Sequence, residues 1–133
     1  MWQIIEQQNI TEHCLVLDEE LQTVNWPVGS GTYRVAQLYV GETPYLRFSQ
    51  GNSGHPGIMW RLAEELGMKL NSPPALRTER YTVAGMGIAD IDAENRRAVF
   101  HGGSTEYMLV VSSAHLTSIR PEVPDWTLTL RNT

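Results

Sequence analysis

Residues 49–67, Ser-Gln-Gly-Asn-Ser-Gly-His-Pro-Gly-Ile-Met-Trp-Arg-Leu-Ala-Glu-Glu-Leu-Gly, decide the fold class, because the sequence period changes inside them. The first half is a glycine-rich loop. After it, Ile58, Leu62, Ala63 and Leu66 recur at helical spacing, with Glu64 and Glu65 on the opposite side. Proline fixes φ at a helical value and lacks an N–H, so Pro56 suits the first helical position and makes His55 the N-cap. Gly67 can end the helix. The spacing predicts a helix over about 56–68.

Outward from this segment the chain reads as strands. Toward the N-terminus, Tyr33–Val40 and Pro44–Ser49 are rich in β-branched and aromatic residues and flank the turn signal Gly-Glu-Thr, as in a hairpin. Residues 13–17 and 22–26 are further candidate strands. Toward the C-terminus, Arg80–Val83, Ile88–Asp92 and Arg97–His101 read as a meander, and Trp126–Leu130 alternates like a closing strand. Between them, Ser104–Arg120 admits two readings. Ser104 and Glu106 suit the start of a helix over about 105–120. Tyr107–Ser112 has strand propensity, with Ser112-Ser113 capping a shorter helix that ends near Ile119. The class expected is α+β: a mixed or antiparallel sheet with one helix and a second possible.

The chain has 133 residues, 41% of them hydrophobic, enough for one domain over 1–133. Fifteen acids against ten bases give a net charge of −5, which argues against a broad nucleic-acid or anionic-membrane surface and leaves room for one small anion pocket. Cys14 is the single cysteine, so neither an internal disulfide nor a cysteine zinc site is expected, and the chain reads as cytoplasmic. The longest apolar run, Tyr107–Val111, is far short of the ~20 residues of a membrane span. His13, His101 and His115 lack metal-ligand spacing, and Gly85-Met86-Gly87 lacks the third glycine of a dinucleotide fingerprint. No cofactor is expected.

His55 is the first chemistry-bearing candidate. A glycine loop opening into a helix presents unpaired N–H groups and the positive end of the helix dipole to an anion, and a histidine there can exchange protons near neutral pH. An ordinary capping residue is the plainer alternative. Arg34 and Arg47 lie on the paired strands, and a guanidinium offers bidentate donors to phosphate, although strand arginines usually face solvent. Ser104 follows Gly102-Gly103, where backbone can approach a ligand, and it serves equally as a cap. Gly57 is the next available N–H donor after Pro56, and Glu106 completes the candidate anion-binding set. Asp90, Asp92 and Glu94 read as a solvated turn, and the histidines other than His55 as structural. Gly51-Asn52-Ser53-Gly54-His55-Pro56 echoes a serine-protease nucleophile loop, but the chain is too short for that two-barrel fold.

The order of these features resembles the Janus/Ocnus family of small phosphohistidine phosphatases. Gly31–Val40 looks like the family's first long strand, with Arg34 at a basic position. Arg47 stands eight residues before His55, as the family arginine stands before its catalytic histidine. Gly85–Asp90, His101–Tyr107 and Val123–Leu130 then follow in family order, so the resemblance spans Gly31 to Leu130. It implies a metal-independent hydrolase with His55 as general acid or base. Arg34, Arg47, Ser104 and the N–H groups after His55 would hold a phosphoryl group, and the ligand would be a phosphorylated protein or a small anion. Pro56, Met86 and Ile88 depart from the family pattern. A non-catalytic ligand-binding module on the same scaffold and a protein-interaction domain are the alternatives.

Overall fold

The computed structural model describes residues 21–49, 54–69 and 74–131, which form an α+β fold with a five-stranded mixed sheet, a two-stranded sheet and two α-helices. The strand expected over 13–17, with His13 and Cys14, lies outside the described residues. In chain order the elements are β1 (Gly31–Val40), β2 (Thr43–Phe48), α1 (Gly54–Glu65), β3 (Thr82–Asp92), β4 (Arg97–His101), β5 (Gly103–Ser104), β6 (Leu109–Val110), α2 (Ser113–Ile119), a 3-10 turn (Arg120–Glu122) and β7 (Thr127–Leu130). The large sheet runs β2-β1-β3-β4-β7, antiparallel except for the β4–β7 pair, and β5 pairs with β6. The β1–β2 hairpin turns on Gly41, whose φ of 64° suits a residue without Cβ.

Val35, Ala36, Gln37 and Leu38 are buried in succession, because the centre of the sheet is covered on both faces. On one face, Ala36, Leu38, Val83 and Met86 pack against Ile58, Met59, Leu62 and Leu66 of α1 and its end. On the other, Val35, Phe48, Ala89, Ile91 and Phe100 pack with Leu116 and Ile119 of α2. Trp26 and Trp126 stack beside this second cluster, with centroids 3.7 Å apart.

Four expected elements differ in extent. The first helix runs Gly54–Glu65 and not 56–68, because Gly54 makes the turn into it and residues 66–67 already form a turn. Residues 22–26 make only an isolated bridge, Val24 to Leu46: the Thr23 carbonyl takes the Leu46 N–H, but the Phe48 N–H goes to the Asn25 side chain at 2.8 Å and not to backbone. The two strands expected over 80–92 are one, because Gly85 and Gly87 are close-approach positions and not turns. A Cβ on Gly85 would sit 2.7 Å from the Val110 carbonyl oxygen, and one on Gly87 would sit 2.7 Å from that of His101. The second helix is the shorter alternative, with the Ser112 hydroxyl accepting from the His115 N–H at 3.1 Å. Residues 105–112 are turn and short strand, and pack the hairpin against the first half of β3, which β4 leaves unpaired.

Candidate functional site

The α1 helix covers only part of its face of the sheet. Strand alternation puts Thr32 and Arg34 of β1 and Ile88 and Asp90 of β3 on that same face, beyond the helix. His101 of β4, paired with Ile88, joins them. Where the helix begins and this uncovered strip starts, a cleft of about 330 Å³ opens, lined by Arg34, Gly54, His55, Pro56, Ile88, Gly103, Ser104, Thr105 and Glu106.

His55 lies one residue inside α1 and is not its cap. Gly54, with φ 66°, makes the turn into the helix, a conformation open to glycine. The imidazole is 6% exposed, and its Nε2–H donates to the Gly87 carbonyl at 3.0 Å. Burial is the main influence on its basicity and lowers its pKa from 6.5; Arg34 acts in the same direction, while the carbonyls of Gly87 and Val35 and the Glu106 carboxylate oppose it. The ring is therefore neutral at neutral pH. Because the carbonyl only accepts, Nε2 keeps the proton and Nδ1 carries the lone pair.

Arg34 is exposed, and its backbone is fixed from both sides: its N–H donates to Ser49 Oγ at 3.0 Å and its carbonyl accepts from the Ser49 N–H at 2.9 Å. Among the cleft-lining residues it is the one arginine or lysine. Ser104 is 6% exposed, and its Oγ accepts from the Tyr107 N–H at 3.3 Å, which leaves the hydroxyl proton to donate elsewhere. Here the cap-like turn and a place in the cleft lining coincide.

Arg47 does not reach the cleft. Its side chain shares the α1 face but lies under the helix, 3% exposed, with Nε 2.8 Å from Glu65 Oε1. Of its remaining donors one goes to Glu65 Oε2 at 3.2 Å, and the others go to the carbonyls of Leu46 at 2.7 Å, Gln22 at 2.7 Å and Thr23 at 3.3 Å. A guanidinium so saturated ties β2, α1 and the 22–23 segment together and has no donor left for a ligand. Gly57 lies in the first turn of α1 but does not line the cleft. Glu106 does line it, yet a carboxylate accepts hydrogen bonds and repels anions, so it acts on the proton of His55 and not as an anion donor.

Sequence reasoning missed the neighbouring pair His101–Asp90. Their Nε2···Oδ2 distance is 3.0 Å, and Asp90 Oδ1 also accepts from Thr32 Oγ1 at 2.9 Å. The signal lay in the Ala93-Glu94-Asn95 turn: pairing Asp92 with Arg97 puts His101 opposite Ile88. A second groove, about 680 Å³, shares Gly103, Ser104 and Thr105 with the cleft and runs on to Met108, Leu109 and Val110. No group of three or more metal-ligating side chains occurs among the described residues, and none of their helices is long and apolar enough to cross a membrane. No protein-family model matches the chain and no curated protein aligns with it significantly, so the functional reading rests on the cleft itself.

Proposed function

We propose that the chain is a small anion-binding domain whose cleft takes a phosphoryl group. The observation that carries this reading is convergence: an arginine from β1, a serine hydroxyl from β5 and a histidine from the first turn of α1 line one cleft of about 330 Å³. Arg34 supplies charge and a planar donor pair, Ser104 a hydroxyl donor, and the start of α1 the positive end of its dipole. Neutral His55 accepts a proton at Nδ1, so the cleft can serve hydrolysis of a phosphoramidate such as phosphohistidine. Water attacks phosphorus and gives its proton to the imidazole as the P–N bond breaks; the imidazole then protonates the leaving nitrogen.

Pro56 favours the second reading, binding without turnover. It lines the cleft in the first helical turn, where a backbone N–H would otherwise face developing charge. Titration with inorganic phosphate, followed by the ring resonances of His55, tests the anion site. Phosphorus NMR of phosphoramidate incubated with the parent protein and with His55→Ala tests hydrolysis. Saturable shifts of His55 are expected, and their absence would remove the anion site. Release of phosphate by the parent but not by the variant assigns hydrolysis, and equal rates assign binding alone.

A further inference from the structure

One polar cluster lies outside the anion cleft and has no part in the fold's cores. His101, Asp90 and Thr32 stand side by side on the uncovered strip, joined by the 3.0 Å and 2.9 Å hydrogen bonds. Because a carboxylate only accepts, His101 Nε2 holds its proton toward Asp90 in either charge state, and Nδ1 is the atom left to a ligand. That atom has no hydrogen-bond partner among the described residues, and the side chain is 15% exposed. Asp90 is 41% exposed; Arg131, 51% exposed, approaches its Oδ2 only to 3.9 Å.

The cluster adjoins the cleft by two routes. His101 pairs across the sheet with Ile88, which lines the cleft, and Ile88 pairs in turn with Arg34. Along the chain, His101 is followed by Gly102 and by Gly103 and Ser104, which also line it. Strands stand about 4.8 Å apart, so the row Arg34–Ile88–His101 spans roughly 10 Å between its outer backbones. One end of this row is cationic. The other presents the imidazole of His101, with Ile88 between them; Asp90 stands on β3 two residues from Ile88, between His101 and Thr32 of β1.

We infer that the His101–Asp90 pair is a second subsite of the cleft, taking an N–H-bearing cation joined by a short apolar link to the anion held at Arg34. The ligand class is thus a zwitterion, a phosphoryl or phosphonyl group carrying a primary ammonium. His101 Nδ1 accepts one ammonium N–H, and Asp90 supplies the opposing charge. This inference rests on the anion-cleft reading above.

The experiment compares three probes on the whole chain by calorimetry: propylphosphonate, 3-aminopropylphosphonate and its N-trimethyl analogue. The primary ammonium should improve affinity over propylphosphonate by roughly tenfold, as a charge-assisted hydrogen bond does, and trimethylation should remove most of that gain. In Asp90→Asn, nearly isosteric, and in His101→Ala, the gain should disappear while inorganic phosphate still shifts His55. Equal affinities of all three probes for the parent protein would overturn the inference and leave the anion site standing. A gain that survives both substitutions would also overturn it. Failure of phosphate to shift His55 would remove the anion site and this subsite together.

Discussion

The two halves of the α1 face of the sheet carry similar side chains and use them in opposite ways. In the covered half, Arg47 is buried, with Glu65 and three backbone carbonyls around it. In the uncovered half, Arg34 is exposed beside a cleft, with only its backbone tied down. Both are strand arginines on the same face, so neither residue type nor strand parity distinguishes them. The position of the helix does. A guanidinium under a helix must meet its hydrogen bonds internally and becomes a clamp; one beyond the helix keeps its donors for a ligand.

The largest expected effect breaks this contrast directly. Arg47→Ala removes the buried guanidinium that ties the Gln22, Thr23 and Leu46 carbonyls to Glu65, and should lower unfolding free energy by about 3 kcal/mol. The phosphate affinity of the protein that remains folded should not change. Arg34→Ala should alter stability by less than about 0.5 kcal/mol, as surface substitutions do, while weakening phosphate binding tenfold or more. Urea unfolding and phosphate titration of the two variants check both halves. If Arg47→Ala weakens phosphate binding and leaves stability intact, the division between clamp and ligand arginine is wrong.

That division also marks how far the sequence could be read. The β1–β2 hairpin, α1 and β4 were legible because each has a clear period and a glycine or proline at its ends. His55 and Ser104 were legible as residues at one cleft because glycines precede both. Arg47 was not, because its fate depends on Glu65, eighteen residues away, and on where α1 crosses the sheet. The glycines of β3 misled for a related reason. A glycine needed for close approach by Val110 or His101 has the same local signature as a turn glycine. The His101–Asp90 pair required a register that only the folded hairpin fixes.

The next test is smaller and concerns two buried histidines, one in each layer. His115 under α2 is fully buried, and its Nε2 donates to the Leu38 carbonyl at 2.9 Å. Burial lowers the pKa of His55 and of His115 from 6.5, in each case as the leading cause. Below 6.5 the unfolded chain therefore takes up protons that the folded one resists, so stability present above that pH is lost as pH falls through the folded-state values. Urea midpoints measured from pH 7.5 down to pH 5 should decline. His115→Gln, whose amide can still donate to Leu38, should flatten part of that decline, and phosphate should steepen none of it through His115. A midpoint that rises on acidification would show that these histidines are not held neutral.

The smallest effect expected sharpens the comparison at its boundary, where α1 meets the cleft. Pro56 is in the first helical turn and lines the cleft, and it withholds one N–H from the end of the helix that faces an anion. Pro56→Ala restores that donor. The change should cost about 0.4–1 kcal/mol of stability, because the unfolded chain gains freedom when proline is removed. Phosphate affinity should nevertheless rise by a few-fold to about tenfold, the worth of a hydrogen bond to a charged group. If the cleft hydrolyses phosphoramidates, turnover should rise with it, since the restored donor would also meet charge developing on the phosphoryl oxygens. Unchanged affinity would mean that the first turn of α1 does not touch the anion, leaving Arg34 and Ser104 as its donors. The cleft would then hold its ligand from the sheet side alone, with the helix serving only to place His55.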